Sequence, residues 1–162
     1  MWSYNKKNNR GMALIEIVIG ASIISVGILA ISTAYNTYVQ HAFANEKNIQ
    51  AAYILEEGLE AVTLLRDKGW NANIKLLSTT TTYYLTLVPT YWATTTTPQY
   101  IDGTFLRNIA ITDVKRDLND RIATAGTYDP NTKLVTATVS YFQGHGTTTR
   151  SLSTYIANIY NN

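Results

Sequence analysis

The chain has no cysteine, only two histidines and only three prolines, of which Pro89 comes first. Without cysteine there is no disulfide, no thiolate metal site and no thiol nucleophile. Stability must then come from a packed core or from neighbouring subunits. The histidines, His41 and His145, fall in unrelated contexts, one in a helical pattern and one in the glycine turn Gln143-Gly144-His145-Gly146. A catalytic histidine needs a placed partner, and none is in view. Nucleophile elbow, phosphate loop and zinc spacing are all missing. The expectation is therefore a chain with no catalytic residue, no metal and no cofactor, and not an enzyme. Charge is sparse too. Three of the thirteen lysines and arginines, Lys6, Lys7 and Arg10, precede residue 12, which leaves ten cations against eleven acids in the rest. A nearly neutral body is not built to hold nucleic acid electrostatically. By length, 162 residues make one domain plus an anchor.

What the chain does have is a long apolar run. Residues 12–34 read MALIEIVIGASIISVGILAISTA, about 35 Å of helix at ~1.5 Å per residue, enough to span a bilayer. Glu16 is its one charged residue. A charge at the centre of a membrane helix costs roughly 2.5–3.5 kcal/mol, so such residues are functional candidates by default. Four readings of the run compete. A signal peptide cut after Ser32-Thr33-Ala34 has suitable small residues, but the run exceeds the roughly 7–15 residues of a signal core and contains Glu16. An ordinary single-span anchor explains the length and the basic flank and leaves Glu16 without a purpose. A buried soluble helix is the third reading, but 23 residues apolar all round suit lipid better.

The fourth reading accounts for every feature. Arg10-Gly11-Met12-Ala13-Leu14-Ile15-Glu16, behind a basic leader and ahead of an apolar run, resembles the cleavage and methylation motif of type IV prepilins and type II secretion pseudopilins. The resemblance implies that a membrane peptidase removes residues 1–11 by cutting after Gly11. Met12 becomes the N-methylated first residue, and Glu16 becomes the fifth. It implies further that the apolar helix is retained and drives assembly into a filament. Implied partners are other pilin or pseudopilin subunits, the prepilin peptidase and methyltransferase, and an inner-membrane assembly platform. The precursor would cross the cytoplasmic membrane once with its N-terminus inside, and then enter a surface or periplasmic filament. Many major pilins carry a kinking proline where this chain has Thr33. That difference, and the stretch from Ala51 to Val62 with Arg66-Asp67 before Trp70, resemble minor pilins and pseudopilins. The alternative is a single-span, membrane-anchored extracellular binding module serving adhesion or DNA uptake.

Physical chemistry fits the implied role. Cleavage would create an ammonium at Met12 near the Glu16 carboxylate, both poorly solvated. Paired between subunits, they offset part of each other's desolvation cost and set register, as one buried polar residue does in a coiled coil. Gly20, Ala21, Ser22, Ser25 and Gly27 would let helices approach closely.

Beyond the run, residues 35–69 keep a helical period, with Ala52, Leu55, Leu59, Val62 and Leu65 on one stripe and Glu46, Lys47, Gln50, Glu56, Glu57 and Glu60 off it. Lys68-Gly69 reads as a helix stop. A helix over residues 12–68 would measure about 85 Å. The acids at 56, 57 and 60 read as a solvated helix face, with contact to a basic partner open. Residues 70–162 turn to period two. Strands are expected over residues 83–88, ended by Pro89, and over 104–114, with Phe105, Arg107, Ile109 and Ile111 on one face and Leu106, Ala110 and Val114 on the other. Residues 133–142, with Val135, Ala137, Val139 and Tyr141 on one side, should pair with residues 149–160 as a hairpin. Tyr128-Asp129-Pro130-Asn131 reads as a turn. The threonine-rich runs at 78–82 and 94–97 read as exposed loops or an edge strand. The twelve tyrosines and three tryptophans read chiefly as half-buried strand packing. Asp113, Asp117, Asn119 and Asp120 miss the calcium-loop spacing because Arg121 takes a ligand position, and they read as a charged turn. The expected fold is α+β: a long N-terminal helix, membrane-spanning over 12–34 and amphipathic over 35–69, packed on an antiparallel sheet of three to four strands.

Overall fold

The computed structural model describes residues 10–144 and 146–160. Lys6 and Lys7 of the leader, and His145 of the glycine turn, lie outside the described residues. α1 (Arg10–Lys68) is a single α-helix of 59 residues. It stops where the sequence predicts: Arg66 and Lys68 occupy its last turn, and Gly69, at φ 155°, donates its N–H to the Arg66 carbonyl at 3.1 Å. The chain divides into two compact units between Glu46 and Lys47.

In the second unit α1 lays one stripe on a sheet. Ala51, Leu55, Gly58, Val62 and Leu65 are buried at alternating steps of four and three. Ala52, expected on this stripe, is exposed, and Ala51 is fully buried in its place. Two adjacent alanines give no signal as to which one faces inward, and the phase set by Leu55 and Val62 decides it. A short helix α2 (Trp70–Asn73) follows and buries Trp70, with Ile74 buried just after it.

Strands β1 (Tyr84–Val88) and β2 (Tyr91–Thr95) form an antiparallel pair around Pro89-Thr90. Thr94 and Thr95 thus belong to an edge strand, and the Ser78 run is a loop. The larger sheet is ordered β3 (Tyr100–Ile101), β4 (Phe105–Arg116), β6 (Thr127–Gln143), β7 (Gly146–Ala157), with β5 (Ile122–Ala123) pairing the far end of β4. All pairings are antiparallel, and the fold class is α+β as expected. A bridge between Tyr83 and Ile109 ties the small sheet to β4.

The core lies between the helix stripe and one face of the larger sheet. Phe105, Ile109 and Ile111 from β4 and Val135, Ala137, Val139 and Tyr141 from β6 supply the sheet side. The alternation read from the sequence places each of them inward.

One expectation fails. The Tyr128–Asn131 segment is not a turn between strands but part of β6. Register slips there: Asp113 faces Lys133, whereas Val114 faces Asp129, so three β6 residues have no partner on β4. Pro130 has no N–H for the ladder, so a bulge is the tolerated solution. The Asp129 carboxylate accepts the Asn131 N–H at 2.9 Å and closes the bulge locally.

Candidate functional site

The N-terminal part of α1 is built to stand outside any core of its own chain. Its large apolar side chains are exposed, Ile17 at 71 % and Ile31 at 70 %. It is the one stretch among the described residues long and apolar enough to cross a membrane. Four of its hydroxyls need no outside partner. Ser22, Ser25, Thr33 and Thr37 each donate to the carbonyl four residues back, at 2.7–3.0 Å. That bond is the standard way for serine and threonine to satisfy themselves in lipid.

Glu16 has no such solution. It is exposed, and no hydrogen bond or ion pair joins it to another described residue. Arg10, Gly11, Met12 and Glu16 all lie on α1. Met12 and Glu16 stand about 6 Å apart along the axis at ~1.5 Å per residue. Side chains added at Gly20 or Gly27 would meet nothing within 4 Å, so no contact within the chain requires glycine at either place.

The second unit resolves the acidic helix cluster. Arg107 points inward from β4 and is only 3 % exposed. Its guanidinium donates to the Ile54 carbonyl at 3.1 Å and to Glu57 Oε2 at 2.8 Å, and it lies 5.3 Å from the Trp92 ring centroid. The basic partner left open for the cluster is therefore in the same chain. Gly58 makes room for it: a Cβ there would stand 2.9 Å from Arg107 Cδ. The signal was present in the sequence, since an arginine alternating with Phe105, Ile109 and Ile111 must be buried and must have a counter-charge.

The Asp113–Asp120 group is occupied by internal bonds. Asp117 Oδ1 accepts the N–H groups of Asn119 and Arg121 at 2.8 and 2.9 Å, and Asp113 pairs with Lys133. Arg116 Nε bonds Asp129 at 2.6 Å. Burial raises the Asp129 carboxyl, but bonds from Arg116, Thr132 and the Asn131 N–H, together with the Arg116 charge, outweigh it and hold the group below its ordinary value. Burial likewise lowers Lys133, and its bonds to Asp113 and Tyr128 raise it further than burial lowers it.

Compared with protein families, with curated proteins and with solved structures, the chain matches none of them. The likeness to pilins therefore rests on the N-terminal motif and on an architecture compatible with it: one apolar helix near the N-terminus, followed by antiparallel sheet. The same arrangement is compatible with a membrane-anchored module.

Proposed function

We propose that this chain is a structural subunit, a minor pilin or pseudopilin, of a type IV pilus-like or type II secretion-like filament, and not an enzyme. The precursor sits in the cytoplasmic membrane with its N-terminus inside. A prepilin peptidase cuts after Gly11, Met12 is N-methylated, and an assembly platform draws the helix into a surface or periplasmic filament. One observation carries the reading. Glu16 is the lone charge in an exposed apolar run, residues 12–34, in which Ser22, Ser25 and Thr33 bond to the helix backbone. No described residue of the chain pairs with this carboxylate, and a processed neighbour would supply a cation at its Met12 amine. The pair would form only after cleavage, so leader, glycine and glutamate act as one device that withholds assembly from unprocessed protein.

Glu16→Ala tests this. The variant should insert into the membrane at least as well as the native chain, since a cost of roughly 2.5–3.5 kcal/mol at the helix is removed. Its recovery in sheared filaments should fall by about tenfold or more, the loss of a pair worth at least ~1.4 kcal/mol. Normal incorporation of Glu16→Ala would show that the carboxylate has no part in assembly.

A further inference from the structure

The larger sheet ends on β7, a long edge whose one protection among the described residues is the inward-facing charge of Arg150. β7 runs for 12 residues and pairs with β6 without a register slip from Gly146 to Ala157. It contains no proline and no lysine, and Arg150 is its one charge. The other sheet ends are blunted: β3 and β5 have two residues each, and β2 is five residues long with Pro89 and Pro98 on either side. Natural edges are normally shortened, charged, bulged or broken by proline, because alternate N–H and C=O groups along them are open to another chain.

The core also stops short at this edge. Cross-strand neighbours point to the same face, so Leu152 and Arg150, opposite Ala137 and Val139, are on the core side. Ala137 and Val139 are fully buried, yet Leu152 is 41 % exposed. Beside it runs a groove of about 410 Å³ lined by Asn48, Ala52, Leu55, Arg150 and Ser151. Its upper wall is held in place: Asn48 Oδ1 accepts from the Tyr141 hydroxyl at 2.6 Å and from Arg150 at 3.4 Å. The helix thus offers a floor for one more strand than the sheet has.

We infer that the β7 edge is a binding site for an extended segment of a second, different polypeptide, added as the next strand of the sheet. The edge specifies an extended backbone, since only a strand matches its row of donors and acceptors. The core side specifies apolar residues over Leu152 and Ala52, and one carboxylate opposite Arg150. The outer face, with Thr149, Ser151 and Ser153, specifies uncharged hydroxyl residues.

The test uses the full chain in detergent micelles and a synthetic peptide of about ten residues, alternating valine and threonine with a central glutamate. Binding should protect the amides of β7 from hydrogen exchange. A peptide with proline at its centre should not bind. Arg150→Glu should weaken the glutamate peptide roughly fivefold to tenfold and strengthen a lysine version of it. Arg150 is exposed, so the fold should survive the change. Failure of the glutamate peptide to bind at about 1 mM, a binding free energy of about −4 kcal/mol, would overturn the inference. Binding indifferent to the proline or to the charge swap would do the same. Protection of β7 by self-association without peptide would assign the edge to a second copy instead and also overturn it.

Discussion

Two ionisable residues, Glu16 and Arg107, carry opposite solutions to one problem. Arg107 is buried, and Glu16 would sit where a charge is costly once its helix crosses a membrane. Arg107 is answered inside the chain by Glu57 and the Ile54 carbonyl, whereas Glu16 has no described partner. Arg107 gives a direct prediction. Gly58→Ala would normally stabilise a helix by about 1 kcal/mol. Here the added methyl meets a pinned guanidinium stem, and crowding of this kind costs roughly 1–3 kcal/mol. The variant should therefore melt lower than the native chain. With Arg107→Leu in place the same change should become neutral or stabilising, so the two should be strongly non-additive in thermal melts. Additive effects would mean that Gly58 is not there to admit the arginine.

Among the elements, those with a long period were legible in the sequence and those made by a local exception were not. The apolar run, the helix stop at Gly69 and the alternation of β4 and β6 all follow from spacing. Three features do not. The two-residue strands β3 and β5 are too short to show a period, although Asp102-Gly103 is a hairpin signal and the structure turns there with positive φ at both residues. The alternation of β4 signals a buried Arg107 that needs a counter-charge, but not that Glu57, 50 residues away on another element, supplies it. The β6 bulge was hidden because Pro130 marks a turn and a bulge alike. That bulge has its own pH signature. Asp129 is held below the ordinary carboxylate value of 3.8, so its contribution is fully present above that value and is lost as pH falls through the depressed one. Lys133 is raised above 10.5, so its contribution is present below that value and is lost as pH rises through the raised one. Asp129→Asn should lower Tm at neutral pH and flatten the acid limb of the Tm–pH curve. An acid limb as steep as that of the native chain would place its source elsewhere.

At the scale of the whole molecule, the candidate site was legible almost entirely from the sequence. Glycine, basic leader, apolar run and glutamate are contiguous, and the helix adds exposure, satisfied hydroxyls and glycines that serve no contact within the chain. The interaction surface at β7 was not legible. It depends on a sheet edge falling beside an exposed part of α1, a product of topology. On the proposed reading the two features would divide the labour of the molecule: the first unit would join copies, and the second would present one open sheet edge. The account stands or falls on whether the joining device is switched on by cleavage. Intact mass and N-terminal peptide sequencing of the chain extracted from membranes measure this directly. The expected result is a mature chain that begins at N-methylated Met12 and keeps its apolar helix. A chain beginning at Tyr35, or one retaining Met1 through Gly11, would contradict it.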